Sequence, residues 1–496
     1  MLIPTRTPTL RRRAVTPRRA LLAAAVAVLA GVAAVVVPNL GGDPYTLQRF
    51  VSRPDLRPPK VEVVRGSAAV GSGYLFVAPK NGPGPAGPMI LDRRGRVVWF
   101  KRLPKGIQAF DFKPGRLDGR PVLTWWEGHS AKGKGAGVDV IADSSYRELL
   151  RVPMKRGDRA DLHEFTLTSR GTALVPVYRV VPHDLRPVGG PRSGKAVAGV
   201  IQEIDVHTGR VVFEWNSLRH IPITDSYKEF KEEATRGYDY FHLNSIREDG
   251  HGNLLISARH TNAVYLIDRG TGRVRWRLGG KRSTFAMGPG TRFVAQHDAR
   301  FGPGGAISIF DNQSPPEHGR ESRAVLIALD RGARRARLVQ EYEHPSEVHS
   351  DSQGSAQFLP NRDLLVGWGG KSPRFTEFDP RGRLVFDARF RPDATNSYRS
   401  FLLPWRGAPR RRPAIAVRKH HQGGLSAYAS WNGATQLRSW ELLAGRHAHG
   451  LHRVAVEHRA GFETELRLPR RPRFVAVRAL GPGGKPLRQS RPVRVR

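Results

Sequence analysis

Cysteine is absent from all 496 residues, which excludes disulfides, thiolate nucleophiles and cysteine-based metal sites. Acidic residues are scarce: 43 Asp and Glu stand against 82 Lys and Arg, a net charge of +39. Such an excess is compatible with a nucleic-acid binder or with a basic channel that attracts anionic substrates. The arginines are scattered through every segment and no nucleic-acid-binding module accompanies them, so no nucleic-acid partner is expected. Glycine (53) and proline (38) are plentiful and evenly spread, which favours many short strands and turns over long helices.

The N-terminus holds a long apolar run. Six arginines (Arg6, Arg11, Arg12, Arg13, Arg18 and Arg19) precede eighteen uncharged residues from Ala20 to Val37. That length spans a bilayer with little tilt. The positive flank predicts a basic cytoplasmic segment over 1–19, a transmembrane anchor over 20–38 and the bulk of the chain outside, as a single-pass protein of the cell membrane. A secretory signal is the rival, and Arg18-Arg19-Ala20-Leu21-Leu22 is similar to a twin-arginine signal. The bulky Val35-Val36-Val37-Pro38 offers no small-x-small cleavage site, which favours the anchor. Both readings export the rest of the chain.

One pattern recurs from there on: two or three apolar residues, an aspartate, a short turn, then a β-rich run. It occurs as "MILDRRGRVVWF" (89–100), "DVIADSSYRELLRV" (139–152), "QEIDVHTGRVVFEW" (202–215), "YLIDRGTGRVRWRL" (265–278), "IALDRGARRARLVQEY" (327–342) and "TEFDPRGRLVFDARF" (376–390). Its aspartates, Asp92, Asp143, Asp205, Asp268, Asp330 and Asp379, are spaced 51, 62, 63, 62 and 49 residues apart. Each unit reads as a hairpin turned by Asp and Gly. A second strand pair lies between hairpins, as in "HLNSIREDGHGNLLISAR" (242–259). Four strands per unit is the size of a propeller blade. The expected fold is therefore all-β: a six-bladed β-propeller over 44–408. From about Pro409 alternating strands with closely spaced turns predict a small fibronectin type III-like β-sandwich over 409–496.

Aligning the inner strand pairs brings out the histidines. The entering strands read "QAFDF" (108–112), "HEFTL" (163–167), "HLNSI" (242–246), "HDARF" (297–301) and "GSAQF" (354–358). His163, His242 and His297 thus share one expected position in three consecutive blades, around the axis of the propeller, with Arg259 at the end of the following strand. Burying three imidazoles and a guanidinium together is costly without an anion or metal to bind. Three histidines can hold zinc with an open position for water. The neighbouring arginine favours a tetrahedral oxyanion such as sulfate or phosphate instead, with one imidazole as nucleophile and the others as proton donors and charge stabilisers. His207, His318, His447, His449 and His452 fall in turns or in the terminal module and are given no role. Tyr227, Tyr238, Tyr240 and Phe285, on loops 224–240 and 281–294, are candidates for stacking on an aryl ring or are plain loop anchors.

The segments "YFHLNSI" (240–246), "ISARHTNAVYLID" (256–268), "RWRLGG" (275–280), "FVAQHDAR" (293–300) and "ISIFDN" (307–312), with "DLHEF" (161–165) before them, resemble the bacterial arylsulfotransferases, from about Phe50 to Trp405. The resemblance implies a propeller enzyme that moves a sulfuryl group from a phenolic sulfate ester to another phenol, with no cofactor, no nucleotide donor and no catalytic metal. It implies His297 as the nucleophile, sulfated in passing, and His163, His242 and Arg259 as sulfate-binding and acid/base residues, with a ping-pong rate law. The basic terminal sandwich and the N-terminal anchor depart from the best-known periplasmic members. Two other functions fit the residues: a non-enzymatic extracytoplasmic propeller binding an anionic glycan or wall polymer, and a metal-assisted hydrolase or lyase using the same histidines.

Overall fold

Short runs of alternating apolar residues, punctuated by Asp, Gly and Pro, fold as strands throughout the computed structural model. It describes residues 47–66, 73–131, 133–155, 157–231, 237–314, 321–391, 393–419, 424–468 and 471–495. The described residues are all-β and form eight separate sheets. Six of these are built alike, from four antiparallel strands that follow one another across the sheet. One such sheet runs Leu243–Glu248, Leu254–Ala258, Ala263–Ile267 and Val274–Gly279. The first strands of the other five are Gln108–Leu117, Thr166–Leu167, His297–Phe301, Ser355–Phe358 and Phe401–Leu403.

All six repeat aspartates turn the hairpin between the third and fourth strands. Asp92, Asp143 and Asp379 each accept backbone N–H bonds from the residues two and four positions on. Asp205, Asp268 and Asp330 accept from the residue three positions on. A short acceptor at the turn's first position satisfies donors that the ladder cannot reach.

Two of the sheets join distant parts of the chain. Phe401–Leu403 pairs with Tyr74–Val77 as the first strand of the earliest sheet. Lys60–Arg65 pairs with Leu384–Arg391 as a fifth strand on the latest one. Apolar faces of successive sheets pack on each other: Leu255, Val264 and Trp276 of one share a cluster with Ile307, Ile309 and Val325 of the next. Each side chain so buried contributes about 1.5–3 kcal/mol. Arg399, fully buried, ties first strands together across sheets. Its guanidinium lies 2.8 Å from Asp111, 2.9 Å from Glu164 and 3.3 Å from Asp298. Glu164 and Asp298 directly follow His163 and His297, so this ion cluster holds the backbone on which two of the candidate residues stand.

The remaining two sheets lie beyond residue 409. Three strands (Ala414–Lys419, Leu425–Ser430, Glu463–Leu468) and five (Ser439–Gly445, His452–His458, Phe474–Leu480, Pro486–Gln489, Val493–Arg494) share a core around Trp440. They are stitched to the earliest sheets through Asn432, which exchanges hydrogen bonds with the backbone of Phe100 at 3.0 and 2.9 Å. Tyr146 donates to the Gly433 carbonyl at 2.8 Å. Gly433 is at φ 95°, and a Cβ there would sit 2.2 Å from the Tyr146 ring. Tyr45–Arg496 cluster as one unit. The basic segment 1–19 and the apolar run 20–38 lie outside the described residues, among which no helix is long and apolar enough to cross a membrane.

Candidate active site

His297 opens its strand, opposite Phe310. His242 precedes Leu243–Glu248 by one residue, at φ 56°, and its carbonyl accepts the Arg259 N–H at 2.9 Å. His163 stands three residues before Thr166–Leu167. His242 and His297 share one register position, as the motif alignment implies: the pairing slips by one residue between Leu243 and Ser245 and between His297 and Arg300 alike. His163 stands the same three residues before Thr166 as they stand before Ser245 and Arg300. The three converge. The His163 and His242 rings meet edge to face at 5.0 Å, and both line one cavity of about 550 Å³ with His297 and Arg259.

Each ring is oriented by a separate polar group through Nδ1. His163 pairs with Asp161, His242 with Asp239 at 2.8 Å, and His297 with the Asn312 side-chain oxygen at 2.7 Å. Asn312 has no freedom to flip, because its Nδ2 donates to the carbonyls of Ser350 and Gln353 at 2.9 and 3.0 Å. Its oxygen must accept, so His297 carries its proton on Nδ1 and keeps the lone pair on Nε2. That lone pair meets a long 3.3 Å N–H from Gln353, another residue lining the cavity. Arg259 donates to the carbonyls of Ala295 and Asp351 at 3.2 and 2.9 Å, which aims the guanidinium without neutralising it.

The electrostatics keep His297 uncharged. Burial, reinforced by the Arg259 cation, holds His297 well below the ordinary imidazole pKa. Burial also lowers His242, against the pull of Asp239. Burial alone would raise Asp239, but His242, His260 and Lys134 hold its carboxyl well below the usual range. The His242–Asp239 pair is thus a neutral ring donating to a carboxylate, an arrangement that stiffens a ring and raises its basicity.

The orienting groups were legible only in part. Asp161 and Asp239 lie two and three residues before their histidines, and Asn312 ends the "ISIFDN" motif. His260, next to Arg259 in the 256–268 motif, and Lys80, which lies in no motif, also line the cavity. Asp239, His242 and His260 form a group whose ligand atoms lie within 4.8 Å of one another. The Asp239 carboxylate is already engaged by His242 and by Lys134 at 3.0 Å, and an ammonium there opposes a dication. Of the four aromatic candidates, Tyr240 and Phe285 belong to the core. Tyr238 is buried and donates to the Lys228 carbonyl. Tyr227 is exposed, under the Lys281 ammonium, beside a second cavity of about 970 Å³ that shares Arg259, Lys228 and His260 with the first.

The model of the arylsulfotransferase (ASST) family matches residues 113–391, more than half of the chain and all four site residues. The chain belongs to this family. No curated protein matches the sequence. Solved structures similar to this arylsulfotransferase family member include a protein of unknown function from Bacteroides caccae, 13% identical with a TM-score of 0.42, covering 66% of this chain and 98% of its own. A Lactobacillus plantarum protein is 10% identical with a TM-score of 0.36, covering 80% and 99%. Virginiamycin B lyase from Staphylococcus aureus is 10% identical with a TM-score of 0.30, covering 75% and 94%. Family membership brings aryl sulfotransfer as the activity at the family level, with small molecules as substrates.

Proposed function

We propose that the chain transfers a sulfuryl group from a phenolic sulfate ester to a phenol by a ping-pong route through N-sulfo-His297. One observation carries this reading: a buried imidazole kept neutral, with its proton held at Nδ1 by Asn312 and its Nε2 lone pair left for the cavity it shares with Arg259. In the first half-reaction Nε2 attacks sulfur, the bond from sulfur to the aryl oxygen breaks, and the electron pair leaves on that oxygen. Arg259 stabilises the equatorial oxygens as a donor fixed in advance, with His163 and His242 beside it in the cavity. In the second, an acceptor phenol attacks the same sulfur and returns the lone pair to Nε2.

The six similar sheets are, in this proposal, blades of one propeller over 44–408, a reading supported by the pairing of Phe401–Leu403 with the earliest sheet. The two later sheets are taken as a fibronectin type III-like sandwich over 409–496. The run 20–38 would hold both outside the cell membrane. Incubation with 4-nitrophenyl sulfate and a phenol tests the chemistry. Nitrophenol release beyond one equivalent per protein is expected to require the acceptor, and all release is expected to survive EDTA and to vanish in His297→Ala. Repeated turnover that ignores the acceptor, or release that His297→Ala retains, would refute it.

A further inference from the structure

Lys80 is 3% exposed and lines the histidine cavity. Among the described residues no carboxylate forms an ion pair with it. Its ammonium donates to the side-chain oxygen of Asn396 and lies 5.2 Å above the Phe110 ring. The placement is built, because Lys80 and Asn396 exchange backbone hydrogen bonds at 3.0 and 3.1 Å, and Asn396 Nδ2 is spent on the Gly370 carbonyl. A chain of rings runs from Phe110 to Tyr398 at 5.6 Å and from Tyr398 to His163 at 5.7 Å. A lysine buried this way without a counter-ion is expensive, and burial draws its pKa down to about 7.

The reaction leaves one proton unassigned. The resemblance gives acid/base work to His163 and His242, but both rings turn Nδ1 to a carboxylate, and the neutral His242 has no second proton to give the aryl oxygen as it departs. We propose that Lys80 is a catalytic proton carrier at the phenolic oxygen, giving a proton to the leaving phenolate and taking one from the incoming phenol. This inference rests on the sulfotransferase reading above. As the bond from sulfur to the aryl oxygen breaks, the oxygen takes a proton from the Lys80 ammonium and departs as a phenol. The amine left behind accepts the acceptor's proton while the acceptor oxygen attacks sulfur and the bond from sulfur to Nε2 breaks. Each cycle returns Lys80 to the ammonium and needs no further reactant. An amine that changes charge near neutral pH suits both directions.

The test compares Lys80→Met with the unaltered protein on two donors, phenyl sulfate and 4-nitrophenyl sulfate. Phenolate is a poor leaving group and needs the proton, whereas nitrophenolate leaves nearly unaided. Expected is a loss in kcat/KM of about 100-fold on phenyl sulfate and under about 5-fold on 4-nitrophenyl sulfate. Lys80→Gln should show the same contrast, and Lys80→Met should melt no lower than the unaltered protein, because methionine removes a buried cation. Equal losses on the two donors, or none, overturn the role of Lys80 and leave the sulfotransferase reading standing. Failure of the unaltered protein to transfer from either donor overturns both.

Discussion

Asn312 touches no substrate in the proposed reaction, yet it dictates which nitrogen of His297 is nucleophilic. Replacing it with leucine keeps the bulk and deletes three hydrogen bonds at once: the one accepted from Nδ1 and the two donated to Ser350 and Gln353. Each buried group left unpaired costs about 1–3 kcal/mol. The Gln353 carbonyl is left unpaired while the Ser350 carbonyl keeps the Ser322 hydroxyl at 3.3 Å, so the stability loss should be about 1–3 kcal/mol. The imidazole loses the acceptor that fixed its tautomer, and the form with its proton on Nε2 cannot attack sulfur. A bias of about 1–3 kcal/mol between tautomers is a factor of about 5 to 150 in the sulfation step. The assay is the pre-steady-state burst of nitrophenolate from 4-nitrophenyl sulfate, followed by stopped flow in Asn312→Leu. The burst should slow by that factor while donor binding changes little, since the residues on the sulfuryl oxygens remain. A burst of normal rate from a protein that is measurably less stable would refute the tautomer argument. A loss expressed only as weaker donor binding would do the same.

Arg259→Met should lower kcat/KM for the donor by about 100- to 1000-fold. It should also shift the acid limb of the burst rate to higher pH, because Arg259 helps hold His297 uncharged; an unmoved limb would contradict this. Burial keeps His297, His242 and His260 neutral in the fold. Below about pH 6.5 the unfolded chain gains protons that the native state refuses, so stability should fall as pH drops from 7 to 5. The slope approaches about 1.4 kcal/mol per pH unit for each ring. Urea titrations across that range should show the slope, and His297→Ala should remove one ring's share. Gly433→Ala forces a Cβ into the Tyr146 ring at a left-handed φ and should lower stability by about 1–3 kcal/mol. Turnover measured well below its melting temperature should stay unchanged, and a loss of activity there would show that the terminal sheets reach the site.

Local chemistry is what could be read along the chain. An aspartate before a β-turn caps that turn whatever lies beyond it, and all six did so. The site histidines were equally visible, because the three residues and Arg259 sit in motifs of recognisable order. The bulge that follows both His242 and His297 was not, since a bulge is set by how neighbouring strands pack and leaves no mark in the motif. Tyr240 and Phe285 show the same limit. A ring on a loop can face a cavity or the core, and here the Ile221 carbonyl and the Trp276 ring hold the two inward.

Composition and spacing by themselves determined an all-β chain, the turns that divide it, and the four side chains worth testing. Tertiary structure alone decided which groups orient those side chains. Asn312 faces His297 from the end of the adjacent strand, and Lys80 meets Asn396 across 316 residues of sequence. The physical reason is that a proton's position depends on the donors and acceptors within about 3 Å of it. Where the earliest sheet takes its first strand from Phe401–Leu403, those neighbours come from distant parts of the chain.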